Sequence, residues 1–316
     1  MFAARGIAVS CSVFFLVYGG LSVAVCVAWR ALWRSFRAYP PRRVADLLFT
    51  MRAFPLISAI AITAVFTVPS FLLLEPRSIE EPLGGISLLL GICGVMLGMV
   101  GMVNAGWALH RASRAIAGWT RGSQGIETAS PVPVLRVARP APAMVATGLV
   151  RHRVLMSPMA ESVLTANELR RSLDHEVAHV RRHDNLKKLV FRLVTFPGMA
   201  DLESAWLAAT EMAADDAAVA NAAEALDLAT ALIKLSRLSS VELPVDLTAA
   251  LVRGPASAVQ ARVERLVAWN ENRDLRLKKY FRRYGFAAAL AIMITLAISY
   301  SQLLVHVHTA TEWLVR

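Results

Sequence analysis

The stretch SLDHEVAHVRRHDN, Ser172 to Asn185, concentrates three histidines and several acids within a chain otherwise rich in Ala, Leu and Val. Four residues separate His175 from His179, so on a helix the two imidazoles lie one turn apart on the same face and can reach one ion. Glu176 follows His175 directly, where its carboxylate can stand beside a metal-bound water without ligating the metal. This His-Glu-x-x-His spacing supplies two metal ligands and a base. His183 comes four residues later, about 12 Å of axial rise from His175 on a continuous helix, too far to share a tetrahedral ion. No glycine between His179 and His183 breaks the helix, so His183 is read as a surface or helix-end residue.

The third ligand must come from elsewhere, and the best candidate is Glu211 in ATEMAADDAAVA. A carboxylate from a neighbouring antiparallel helix completes a two-histidine, one-glutamate site and leaves a fourth position for water. Asp215 shares a helix face with Glu211 and can accept a hydrogen bond from a ligand histidine, fixing its tautomer. Asp216 points off that face and reads as solvated, and Asp201 and Glu203 sit too near the helix start. Asp184, five residues after His179, is expected to brace the end of the motif helix rather than bind metal. Arg181, Arg182, His183 and His152 are all candidates for stabilising an oxyanion, and spacing does not choose among them.

The motif helix has a clear beginning. Thr165 with Glu168 three residues on forms a capping box, and Leu169, Leu173, Val177 and Val180 fall on one apolar stripe. Further helices are expected over Leu202–Ala222, Ala223–Leu238 and Ser257–Asn270. Upstream, Ala117–Pro133 reads as a linker, while Val134–Ala138 and Arg151–Ser157 read as short strands with Gly148 at a turn. The polar segment is therefore expected to be mainly helical with a small sheet. The extended stretch before the motif helix is a candidate edge for pairing with a substrate backbone.

Outside this segment the chain has membrane composition: of 316 residues 56% are hydrophobic and 18% charged, with a mean hydropathy of +0.50. Gly6–Trp29, Ala53–Leu74, Pro82–Leu109 and Tyr284–Val305 each lack Asp, Glu, Lys and Arg, and about 20 apolar residues suffice to cross a bilayer. The first run exceeds a signal-peptide core of roughly 7 to 15 residues, so a retained span is expected. Arg30, Arg34, Arg37, Arg42, Arg43 and Arg52 face one acid, Asp46, between the first two spans, whereas Glu75, Glu80 and Glu81 outnumber Arg77 in the next link. Arginine-rich short loops stay in the cytoplasm. Arg111, Arg114 and Arg121, and the run RLKKYFRR at Arg276–Arg283, give the same orientation. The expected architecture is a mainly α membrane protein with four transmembrane helices, three plus one. Residues 1–116 hold the first three, 117–283 a cytosolic α+β zincin-like domain, and 284–316 the fourth span and an external tail. Both termini face outward from a bacterial-type inner membrane. The net charge of +11 is then explained by membrane flanks that suit anionic lipid, and no direct nucleic-acid binding is expected. Cys11, Cys26 and Cys93 fall within apolar spans and form no disulfide framework.

At ELRRSLDHEVAHVRRHDN, Glu168 to Asn185, at EMAADDAA, Glu211 to Ala218, and at ARVERLV, Ala261 to Val267, the chain resembles the BlaR/MecR-type antirepressor family of integral-membrane metallopeptidases. The three-plus-one order of spans carries the same likeness. The resemblance implies one zinc ion held by His175, His179 and Glu211, Glu176 as catalytic base, and Asp215 behind the ligands, where the position of Asp184 at the end of the motif helix also puts it. It also implies a protein substrate, such as a cytosolic DNA-binding repressor. Well-known members continue into an extracellular penicillin-binding sensor with no counterpart before Arg316, so a separate sensor membrane protein or the outer loops are expected to supply the signal. An HtpX-type quality-control endopeptidase, which shares the two motifs, and a non-catalytic receptor or scaffold are the competing readings. A homo-oligomer remains open. The topology has a direct check: a tag fused after Arg316 is expected to react with impermeant reagents on intact cells, and labelling only after lysis would reverse the orientation.

Overall fold

The computed structural model of the chain describes residues 2–36, 39–76, 84–128, 130–137, 142–238, 249–250, 256–269 and 299–315. Its membrane part begins with α1 (Phe2–Phe36) and α2 (Pro41–Ile62). The second helix passes through a π-helical turn at Thr63–Thr67 into α3 (Val68–Leu74), and α4 (Gly85–Thr120) follows. Three segments, Phe2–Arg34, Pro41–Leu74 and Gly85–Thr120, are long and apolar enough to cross a membrane. The basic run Arg276–Arg283 and residues 284–298 of the expected fourth span lie outside the described residues.

The last helix, α11 (Tyr300–Val315), continues beyond the expected end of that span at Val305. Tyr300 donates to the Val65 carbonyl at 2.8 Å and Ser70 to the Leu304 carbonyl at 3.0 Å. Glu75 lies 2.9 Å from Arg5 and 3.8 Å from His308. The start of α1, the end of α3 and α11 thus meet at one end of the bundle.

Small residues set the closeness of α1 and α4. A Cβ on Gly91 would stand 3.0 Å from the Ala8 carbonyl oxygen, and one on Gly94 2.5 Å from that of Cys11. Ser12 donates across the same contact to the Ser87 carbonyl at 2.7 Å. Such backbone approach is how apolar helices associate where lipid offers no hydrophobic drive.

A five-stranded mixed sheet follows α4, made of β1 (Gln124–Ile126), β2 (Val134–Arg136), β3 (Met144–Thr147), β4 (Arg153–Met156) and β5 (Ala249–Ala250), in the order β1-β2-β4-β3-β5. β2 and β4 occupy the two expected strand regions and pair in parallel; the other pairings are antiparallel. Gly148 turns β3 into β4 with φ at +93°, where a Cβ would collide with the Arg151 carbonyl. The structure corrects two readings of this region. The segment read as linker continues α4 to Thr120 and then supplies β1. The stretch at Arg151–Ser157, expected to offer an edge, is central, because β3, unmarked by any periodicity, inserts beside it.

The helical region holds α5 (Pro158–Val163), α6 (Ala166–Arg181), α7 (Asp184–Leu193), α8 (Ala200–Ala218), α9 (Ala222–Leu238) and α10 (Ala256–Val267). The motif helix α6 starts where expected: Thr165 accepts from the Glu168 amide at 3.3 Å, and the Glu168 carboxylate accepts from the Thr165 amide at 2.8 Å. Lys234 of α9 closes on the same carboxylate at 2.8 Å. Burial raises the Glu168 pKa, but Lys234 and the Thr165 amide outweigh it and hold the carboxyl below its ordinary value.

α7 was not anticipated. It and α8 form a hairpin whose outer half packs among the membrane helices, where Phe191, Leu202 and Trp206 share a core with Ala45 and Leu48 of α2. Arg52, counted above among loop arginines, instead lies inside α2 and is 4% exposed.

The contrast between two glycines of α4 tests the bundle. Gly94→Ala is expected to cost about 1–3 kcal/mol by overpacking, seen as a lower unfolding midpoint in detergent. Gly98→Ala, with no atom within 4 Å of the new Cβ, should leave the midpoint unchanged or raised; equal effects would remove the close contact from the account.

Candidate metal centre

Helix α6 places His175, Glu176 and His179 on its buried face, each no more than 2% exposed. α8 packs alongside and contributes Glu211, 7% exposed, and Asp215, fully buried. The two imidazole Nε2 atoms face each other at 3.1 Å. Glu211 Oε2 lies 3.5 Å from His175 Nε2, and its Oε1 lies 3.7 Å from His179 Nε2. One ligand atom from each of these residues lies within 4.8 Å of the other two, so the group can hold a metal ion.

The chemistry of the donor set decides whether a metal fits. His179 Nδ1 lies 2.8 Å from Asp184 Oδ2, and His175 Nδ1 lies 3.0 Å from Asp215 Oδ1. The Asp184 hydrogen bond keeps a proton on His179 Nδ1 and turns Nε2 inward, while Asp215 stands behind His175 as an ion-pair contact on the same side of the ring. The two Nε2 atoms and the Glu211 carboxylate then converge on one point, and Glu211 Oε2 is braced from behind by the Arg262 guanidinium at 3.1 Å. Tetrahedral bonds of about 2.0–2.1 Å separate ligand atoms by about 3.3–3.4 Å, close to the three spacings observed.

The electrostatics agree. Burial disfavours an imidazolium, yet Glu211 and Asp184 outweigh it and push the His179 pKa up to about 9. Burial likewise raises Glu211, but His179, His175 and Arg262 hold it well below the usual carboxylate range. The centre of this group attracts positive charge.

Glu176 behaves differently. Its Oε2 accepts from the Ala146 amide of β3 at 2.6 Å, and its Oε1 is buried with no hydrogen-bond partner among the described residues. Burial pushes its carboxyl pKa up; the histidines oppose this and Glu211 adds to it. A carboxylate with one oxygen tethered and the other unengaged suits proton transfer.

His183 stands outside the cluster, as expected. It ends α6 without a glycine by taking the left-handed conformation itself, with φ at 54°, a region in which His is enriched among non-glycine residues. It is exposed and packs near His152, with ring centroids 5.7 Å apart. Asp184, the next residue, opens α7 and is fully buried against His179. Asp216 does point away from the centre, but it is ion-paired with Arg265 at 2.5 Å rather than simply solvated.

Two contributors escaped the sequence reading. Arg262 of α10, 3% exposed, grips Asp215 through Nε at 2.8 Å and Nη2 at 2.6 Å, and its Nη1 lies 3.1 Å from Glu211 Oε2. Asn185 donates to the Ala146 carbonyl at 3.2 Å and so ties α7 to the strand that holds Glu176. Neither had a local signal, although Arg262 falls in the ARVERLV stretch already singled out. The outer side of β3 is paired with β5, Ala146 opposite Ala249, so the strand beside Glu176 has no free edge there.

Comparison with protein-family models and with curated proteins gives no match to the chain, and its functional reading rests on this geometry. The role of Arg262 can be checked directly. Arg262→Met leaves Asp215 buried without its partner and should destabilise the protein by about 3–5 kcal/mol, measured by thermal unfolding; an unchanged midpoint would make the pair dispensable.

Proposed function

We propose that this protein is an integral-membrane zinc-dependent endopeptidase, with His175, His179 and Glu211 as ligands and Glu176 as the general base. The observation that carries the reading is the inward convergence of two imidazole lone pairs and a carboxylate, with the unengaged Oε1 of Glu176 on the same helix. Imidazole and carboxylate donors at four-coordinate spacing favour zinc over harder ions.

Zinc in such a site supplies Lewis acidity and lowers the pKa of a water at its open position. The residues of the chain do the rest. Glu176 Oε1 takes the proton of the attacking water while the Ala146 amide fixes Oε2, and the same oxygen returns the proton to the leaving amine nitrogen. Asp215 and Asp184 hold the two imidazoles in the ligating tautomer, and Arg262 keeps Asp215 ionised in its buried place. The pKa of Glu176, raised by burial, moves it toward the proton affinity that this shuttling needs.

The three candidate spans support a place in the membrane, and the arginine distribution supports a cytoplasmic metal centre with both termini outside. With the resemblance at the motif stretches, this favours a cytosolic regulatory protein, such as a DNA-binding repressor, as the substrate, with a separate membrane sensor as partner.

Zinc content in detergent, measured by elemental analysis, tests the core of this reading. One zinc per chain is expected in wild type and in Glu176→Gln, and little in Glu211→Ala. Glu176→Gln should also lose peptide-bond cleavage. Full zinc in Glu211→Ala would remove that ligand, and cleavage by Glu176→Gln would remove the base.

A further inference from the structure

The hairpin α7–α8 joins two places that the chain could have kept apart. At one end lie Asp184 at the start of α7 and Glu211 with Asp215 on α8, the carboxylates around the two histidines. At the other end its turn, Val194 to Met199, is held by the membrane helices. Tyr18, midway along α1 and 2% exposed, donates to the Thr195 carbonyl at 3.0 Å. Arg52 donates to the Val194 carbonyl and lies 3.1 Å from Met199 Sδ, and its guanidinium stands 5.8 Å from the centre of the Phe191 ring. A Cβ on Gly101 of α4 would strike the Leu193 carbonyl oxygen, so the third span also touches the turn.

Arg52 is eleven residues beyond Pro41, about 16 Å along α2 at 1.5 Å per residue. Non-helical backbone packed among apolar helices must have its polar groups satisfied by protein, and a buried ionisable side chain there is costly. Arg52 and Tyr18 meet the first demand by donating to the turn's free carbonyls. The legs of the hairpin show what Arg52 can act on. α7 carries any movement of the turn about 15 Å to Asp184, and α8 carries it about 18 Å to Glu211.

We propose that Arg52 is a positioning residue of the metal centre: from inside the second span it pins the hairpin turn, and the two legs hold Asp184, Glu211 and Asp215 in register with His175 and His179. The contacts that hold the turn thereby set the affinity of the centre. A change at those contacts is transmitted to the carboxylate ligand and to both carboxylates behind the histidines, whereas a change in span packing that leaves them intact is not. This rests on the metal-site reading above, since the quantity under control is metal affinity.

The test uses the full chain in detergent and zinc alone, in competition with a chelator. Arg52→Met is expected to weaken zinc binding about tenfold, the lower end of what lost support behind metal ligands costs. Arg52→Lys, which can still reach one carbonyl, should recover part of the loss. Gly94→Ala, which loosens α1 against α4 away from the hairpin, should lower the unfolding midpoint and spare zinc affinity.

A second measurement needs no variant. Cys26 Sγ lies 3.8 Å from where a Cβ on Gly198 of the turn would be, and zinc that binds the ordered hairpin lowers the population of openings at its turn, so zinc should slow alkylation of Cys26 by N-ethylmaleimide relative to the stripped protein. Unchanged zinc affinity in folded Arg52→Met, an equal loss in Gly94→Ala, or Cys26 alkylation indifferent to zinc would each overturn the proposal. If Arg52→Met does not fold, the Cys26 measurement decides alone. Wild-type protein that takes up no zinc would instead overturn the metal-site reading itself, and this inference with it.

Discussion

Buried negative charge is the constraint around which this molecule is organised. Glu211 and Asp215 sit one turn apart on α8, nearly or fully removed from solvent, and each such charge costs several kcal/mol unless it is paired. Arg262 answers Asp215 with two hydrogen bonds and reaches Glu211 with its remaining nitrogen. One guanidinium cannot neutralise both carboxylates, while Asp184 has its own partners in Arg182 and Lys187, each 3.6 Å away. The deficit is left at Glu211, beside the inward-facing imidazoles, where a cation can complete the balance. The same arithmetic explains why the carboxylates lie in two layers. Glu211 faces the centre, while Asp215 and Asp184 stand behind the rings, beside the far nitrogens.

That arrangement dictates what surrounds it. α6 must start and stop at fixed points for His175 and His179 to share a face with Glu176. The Thr165–Glu168 box fixes the start, and the left-handed turn at His183 fixes the end, throwing Asp184 directly back against His179. α8 must lie antiparallel beside α6 at a set height, and its height is fixed from below by packing against α2 through Leu202 and Trp206. Asp46, the one acid of the basic link in the sequence, adds to the seam: it lies 3.3 Å from Arg182 and 3.7 Å from Lys187. The segment first read as a separate polar domain is seated in the membrane bundle by its central hairpin.

The parts legible in the sequence are those whose determinants are local. Metal-ligand spacing, the capping box and the alanine-rich α8 each declare themselves within a few residues, and Glu211 with Asp215 could be set opposite the motif because one helical turn separates them. What could not be read depends on partners far along the chain. Arg262 meets Asp215 across 47 residues, and Arg52 meets Val194 across 142. Arg52 was misread because an arginine flanking an apolar run is ordinarily a loop residue, and only the turn it binds makes burial tolerable. α7 did carry a local signal: Leu186, Leu189, Val190 and Leu193 stand at helical spacing, but the face it buries holds Asp184, Asn185, Lys188 and Phe191, and the polar start of the run reads as the end of the motif helix. β3 and β5 have four and two residues, too short to carry a period of their own.

The buried charges and the membrane bundle are therefore two aspects of one construction. A metal centre held only by α6 and α8 would need nothing more than a soluble core beneath it. Here the turn between α7 and α8 is non-helical, enters a region of apolar helices, and has its carbonyls met by Tyr18 and Arg52. Water would have satisfied those carbonyls more cheaply had the hairpin stayed at the surface, since an arginine buried in a span loses its hydration for two contacts with the turn. Stability of the polar region alone gives no reason for that arrangement. A hairpin rooted among three spans gains instead a fixed mechanical reference in the membrane, and the carboxylates at its far end are the groups on which the imidazoles depend.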